Sequence, residues 1–244
     1  MIRIHSILIL SLALCVGCGP ANLPRHEVVM PDFTASIDTG AIDEMLNQIT
    51  KRADALRRGD SLTVIPITGD ADVDVHGLIV RLDLPRNRVP YDHDLVQHRL
   101  AFRKALERLK VAALQGRFAE SDIIGTVGLA SQEFASDSPL TIKELVIVSD
   151  FVHEEPDLNF QTSPALQDKK TARNLAERLV AQNQSFQHVN VLLTEAKSPV
   201  VARLSKPRRA AIRAFWMAFF ERQGAKPAFV TDSELGAPVS ERVR

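Results

Sequence analysis

Asp32-Phe33-Thr34-Ala35-Ser36 places one carboxylate and two hydroxyls at alternate positions, directly after the apolar run Val28-Val29-Met30-Pro31. Oxygen donors this close together at the end of a strand can converge on one hard cation. A carboxylate, small hydroxyls and water suit Mg²⁺ or Mn²⁺ far better than Zn²⁺. Two further stretches offer the same donor types: Ser121-Asp122, and Asp150 at the close of Leu145-Val146-Ile147-Val148-Ser149. Each has an ordinary structural reading as well. Asp32 and Asp150 can cap the helices that follow them, Ser121 can be an N-cap, and Thr34 and Ser36 can be turn residues. Other polar clusters carry less. Asp70, Asp72 and Asp74 alternate like a calcium loop, but the required glycine and distal glutamate are not in register with them, Gly77 and Asp83 coming two residues late, so a solvated loop is expected. Tyr91-Asp92-His93-Asp94 with His98 matches no metal-site spacing. His153 and His188 read as surface or strand-end residues.

Regular elements must bring these donors together. The first strand is expected over Glu27 to Asp32, followed by a helix whose buried face is Ile42, Met45, Leu46, Ile49, Ala53 and Leu56. Asp38 or Thr39 starts that helix and Gly59 stops it. Strands follow over Leu62 to Ile67 and Leu78 to Leu84, then a helix over Leu95 to Leu114 with Phe102, Leu106 and Leu109 on one side. Ser121-Asp122 opens a helix over Ile123 to Phe134. The continuous apolar run Leu145 to Val148 predicts a central strand buried on both faces. A helix over Ala165 to Gln182, a strand over Val189 to Leu193 and a helix from Ser205-Lys206-Pro207 complete the pattern. Ala228 to Val230 adds an edge strand. Strands alternating with helices predict a doubly wound, mostly parallel α/β sheet flanked by helices. Its carboxyl edge is where the three donor loops should meet.

Composition narrows the function. With 244 residues, 45% hydrophobic and 25% charged, the chain can build one large domain with a sizeable core. Lys plus Arg and Asp plus Glu are balanced at 30 each, and aromatic residues are 5% and not interleaved with basic runs, which argues against nucleic-acid binding. No phosphate-cradling glycine loop, Gly-x-Ser-x-Gly elbow or cysteine nucleophile is present, so an enzyme is not expected.

The donor pattern in this order of elements resembles the von Willebrand factor type A (VWA) domain, over about Glu27 to Val230. That family binds a divalent cation at a metal-ion-dependent adhesion site: an Asp-x-Ser/Thr-x-Ser motif after the first strand, a Thr from a later loop and an Asp after the fourth strand. The resemblance implies a Rossmann-like fold and a bound Mg²⁺, Mn²⁺ or Ca²⁺. It assigns Thr34 and Ser36 as direct ligands, Asp32 and Asp150 as ligands largely through water, and Ser121 in the place of the Thr. It also implies a protein partner whose acidic residue completes the coordination. Three departures stand out: Pro31 before the motif aspartate, Ser121 for Thr, and no glycine at Ala35 between the hydroxyl residues. None removes a ligand oxygen. A metal-free scaffold and, less favoured, a metal-dependent hydrolase are the alternatives.

The N-terminus carries a targeting signal: Arg3 and His5, an apolar core from Ile7 to Leu14, then Val16-Gly17-Cys18. It resembles the lipobox of bacterial lipoproteins, with Cys15 where Leu is usual. That resemblance implies cleavage after residue 17, lipidation of Cys18 and export. With Gly19 following, it also implies anchorage at the periplasmic face of the outer membrane. The expected layout is a signal peptide over 1–17, a lipidated cysteine and tether over 18–26, the domain over 27–231 and a polar tail over 232–244. Cleavage leaves a single cysteine, so no intrachain disulfide is expected.

Overall fold

A computed structural model describes residues 23–71, 75, 77–86, 93–115, 118, 120–180 and 184–235, the side chains of 232 and 233 excepted. The expected signal peptide, Cys18, most of the expected tether, Asp72, Asp74, Tyr91, Asp92 and the end of the expected tail lie outside them.

Six strands form one sheet: β1 (Arg25–Pro31), β2 (Ser61–Val64), β3 (Val80–Asp83), β4 (Ile142–Ser149), β5 (Val189–Glu195) and β6 (Lys226–Phe229). Their order is β3-β2-β1-β4-β5-β6, all pairs parallel except the antiparallel β2–β3. The chain thus winds outward from β1 to one edge, returns to β4 and winds to the other. The reversal leaves a crevice between the carboxyl ends of β1 and β4, the switch point where such sheets bind ligands. Asp32 follows β1 and Asp150 follows β4, so both border this crevice. The doubly wound α/β fold expected from the alternation of elements is the fold observed.

Alternation along the strands separates two cores, because successive side chains leave opposite faces of the sheet. Val28, Met30, Leu145, Ile147, Val191 and Leu193 pack against α3 (Ile123–Ala135), α4 (Lys169–Leu179) and α6 (Lys206–Arg222). Val29, Val146, Val148 and Leu192 face α1 (Thr39–Ala55) and α2 (His93–Gln115). The first core is the aromatic one. Phe215, Trp216, Phe219 and Phe220 of α6 pack on one another and on Phe151, Phe160 and Phe186, mostly edge to face. Two short helices, α5 (Pro199–Arg203) and α7 (Asp232–Leu235), were not foreseen.

Boundaries differ from expectation where a single residue decides them. β2 stops at Val64 because Pro66 has no N–H for the ladder; Ile65 and Ile67 still donate to Val29 and Pro31 carbonyls at 2.9 Å. Pro31 is tolerated in central β1 because it is the last residue of the strand. The helix expected from Ala165 begins at Lys169 instead, since Asp168 caps it by accepting from Lys170 and Thr171 N–H at 2.8 and 3.0 Å. Packed structure also passes the expected bounds 27–231: β1 starts at Arg25, and Leu235 is buried in the second core.

Candidate metal centre

The β1 loop is knotted around Asp32, whose side chain is fully buried. Its Oδ1 accepts from Thr34 N–H at 3.0 Å and from Thr34 Oγ1–H at 2.6 Å, and Thr34 Oγ1 lies 3.0 Å from Ser36 Oγ. Its Oδ2 accepts from Ser149 Oγ–H at 2.6 Å, so the last residue of β4 fixes the carboxylate that ends β1. Beyond Ser149 the chain turns sharply through Phe151, whose φ of 61° is uncommon for an aromatic residue. Trp216 Nε1–H holds this turn by donating to Phe151 O at 3.0 Å. Asp150 Oδ1 accepts from Val152 N–H at 2.9 Å.

Five sequence-derived donors are therefore distributed as follows. Asp32, Thr34 and Ser36 form one hydrogen-bonded chain. Asp150 is electrostatically coupled to Asp32, and the Ser36 hydroxyl acts on its carboxylate. Ser121 lies on a loop that is stitched to the β1 loop, Ala35 N–H donating to Phe118 O at 2.8 Å. Ser121 Oγ and Asp150 Oδ2 are both buried and have no hydrogen-bond partner.

The capping readings are resolved by the helix starts. α1 is capped by Asp38, which accepts from Gly40 N–H at 2.7 Å, and α3 by Asp122, which accepts from Gly125 N–H at 2.7 Å. Neither Asp32, Asp150 nor Ser121 caps a helix, and of their side-chain oxygens Ser121 Oγ and Asp150 Oδ2 are left without a partner. The α3 cap requires glycine at 125, where a Cβ would overlap the Asp122 carboxylate. Gly125→Ala is expected to displace that cap and lower stability by about 1–2 kcal/mol, read by urea denaturation. An unchanged midpoint would show that Asp122 is not holding the helix terminus.

The electrostatics favour a cation. Burial, followed by the negative charge of Asp150, pushes the Asp32 carboxyl up to about 7; hydrogen bonds from Ser149 and Thr34 only partly oppose this. Burial also raises Asp150, against the hydroxyls of Ser198 and Ser36 and the Val152 N–H. Glu154, beside Ser121, is raised by burial and by Asp150 and Glu120. Two buried carboxylates at one crevice repel one another, and a divalent ion removes both that repulsion and the desolvation penalty. The two unpartnered oxygens are of the hard type such an ion takes. The residues therefore fit a divalent metal.

Sequence reasoning missed three contributors. Ser149 positions Asp32 and was legible as a hydroxyl at the strand end beside Asp150. Ser198 caps α5, accepting from Val200 N–H at 3.0 Å, while acting on Asp150 across the crevice. His153, expected at the surface or a strand end, is only 1% exposed, and burial lowers its pKa to about 4; His188, of the same expectation, is exposed just before β5. Beside the crevice lies a cleft of about 480 Å³ lined by Asp38, Glu44, Met45, Val148, Lys197 and Ser198 among others.

No family model and no curated protein matches the chain. Among solved structures it is similar to the human COPII-coat protein Sec24c, with a TM-score of 0.50 and 14% identity over 88% of this chain and 30% of that one. It is similar to the conserved hypothetical protein BatB from Bacteroides thetaiotaomicron, with a TM-score of 0.48 and 12% identity over 90% and 97% of the two chains. The von Willebrand factor type A structure from Catenulispora acidiphila gives 0.47 and 16% identity, over 88% of this chain and 40% of that one. At such identities the likeness is one of fold alone. The fold is the doubly wound α/β arrangement that the type A resemblance implies.

Proposed function

We propose that this chain is a VWA-type binding module of the bacterial envelope that holds a divalent cation and captures a protein through it. The observation that carries this reading is the pair of buried, unpartnered oxygens, Ser121 Oγ and Asp150 Oδ2, beside the fully buried carboxylate of Asp32. In this reading Thr34, Ser36 and Ser121 hold the ion through hydroxyls, and Asp32 and Asp150 hold it through charge and water. When bound, the ion supplies a positive centre for a carboxylate of the partner. Glu154 and Glu120 add negative charge to this edge, which disfavours an acidic side chain there unless a cation is bound. The cleft lined by Glu44, Met45 and Lys197 gives the rest of a partner segment a place beside the crevice. Mg²⁺ or Mn²⁺ suits the all-oxygen donor set.

Placement in the envelope rests on the N-terminal sequence, with Cys18 as the lipidated anchor. Among the described residues no helix is long and apolar enough to cross a membrane.

Ser121→Ala tests the site with little structural cost. Because the hydroxyl makes no protein hydrogen bond, its loss leaves the metal-free stability unchanged. Calorimetric titration of the full chain with Mg²⁺ and Mn²⁺ is expected to show one site, weakened about tenfold or more in the variant. Equal affinity in both proteins would refute Ser121 as a ligand, and absence of binding in both, with no thermal stabilisation, would remove the metal-dependent reading.

A further inference from the structure

The loops that carry Ser121 and Asp150 are joined at Ser121 and, four residues beyond Asp150, at Glu154. Ser121 and Glu154 are directly opposed in an antiparallel bridge, with Ser121 N–H donating to Glu154 O at 3.1 Å and Glu154 N–H to Ser121 O at 3.0 Å. Side chains alternate along extended backbone. Ser121 and Glu154 therefore leave one side of the bridge, and Asp122, His153 and Glu155 leave the other. On that side the three place one ligand atom each within 4.8 Å of one another.

We propose that Asp122, His153 and Glu155 form a second cation site, distinct from the Asp32 centre and suited to an ion of the Zn²⁺ class. Imidazole with carboxylates is a donor set that Zn²⁺ and Co²⁺ accept and that Mg²⁺ does not favour. The three donors leave a fourth position to water or to a partner group.

Each donor is held for this role. His153 Nε2 faces Glu155 Oε2 at 3.3 Å. The ring is packed edge to face on Phe160, and its Nδ1 is buried with no hydrogen-bond partner. A buried polar atom left unsatisfied is costly to keep. Asp122 is oriented by Gly125 N–H at 2.7 Å and Ala71 N–H at 3.3 Å, one on each oxygen. Glu155 is the most exposed member, its side chain 37% exposed, so it can approach an ion without repacking the core.

The test uses Co²⁺, whose visible absorption reports nitrogen and oxygen ligation, with equilibrium dialysis for stoichiometry. The full chain is compared with D32A, H153Q and E155Q. The proposal expects D32A to retain a Co²⁺ site and both E155Q and H153Q to lose affinity for it by about tenfold or more. Should H153Q not fold, E155Q decides, since Glu155 is partly exposed. Loss of all Co²⁺ binding in D32A, or unchanged affinity in E155Q, would overturn the second site. Failure of Mg²⁺ to bind the wild-type chain would sink the Asp32 centre and leave this inference standing.

Discussion

D32N is expected to abolish Mg²⁺ binding and, in the same protein, to raise the stability of the metal-free form at pH 8. The two effects have one cause. Asp32 is fully buried and carries its charge beside Asp150, so the metal-free fold bears a repulsion that only a cation relieves. The amide keeps the side chain's shape and can accept from Thr34 N–H and Oγ1–H as the carboxylate does. The rise from 3.8 to about 7 sets a ceiling on the order of 4 kcal/mol for the gain. The sign follows from linkage. A carboxyl whose folded pKa is raised stabilises the fold below its unfolded value, and that contribution is lost as pH rises through the folded value. In chelator, the wild-type chain should therefore lose stability between about pH 4 and pH 8, and D32N should lose less. Mg²⁺ at one hundred times its Kd should restore about 2.7 kcal/mol to the wild type and none to the variant. Chemical denaturation across pH, with and without Mg²⁺, reads all of this. A variant less stable than the wild type in chelator at pH 8 would refute the electrostatic account.

At the opposite end of the sheet, the largest effect is expected from R52M. Arg52 of α1 reaches under the strands, its Nη1 2.6 Å from Glu27 Oε2 and 2.8 Å from Glu144 Oε1, and its Nη2 donates to Leu235 O at 3.1 Å. Arg25 completes the group with contacts to both glutamates. Glu27 and Glu144 are 1% and 2% exposed, and burial raises Glu27 despite both arginines. Removing one partner of a buried ion cluster leaves charge uncompensated, at a cost of about 3–5 kcal/mol. Protonation relieves it, so the penalty at pH 7.5 should shrink at pH 5. Urea denaturation at both pH values distinguishes this from lost packing, which would cost the same at each. The Leu235 contact adds a second expectation within the same measurement: α7 should loosen first, visible as early hydrogen exchange at 232–235.

What could be read without a structure was whatever the chain encodes locally. Asp32, Thr34 and Ser36 lie within five positions, and a strand-to-helix transition follows them, so the donor motif and its place at a strand end were visible together. The face Ile42, Met45, Leu46, Ile49 and Ala53 of α1, and the two-sided burial of β4, follow from periodicity alone. The start of α6 at Ser205-Lys206-Pro207 is equally local, Ser205 accepting from Arg208 N–H as its cap. The competition between ligand and cap was not local. Asp38, Asp122 and Asp168 took the capping roles and left Asp32, Asp150 and Ser121 without them, which depends on where each helix starts in three dimensions. Tertiary contact also decided that Ser149 anchors Asp32, that Ser198 acts on Asp150, that Arg52 meets two glutamates, and that His153 is buried facing Glu155. Sequence spacing carries the period of an element, but burial and pairing arise only when strands far apart in the chain lie side by side. That is why the donors could be named from sequence, and the field they sit in could not.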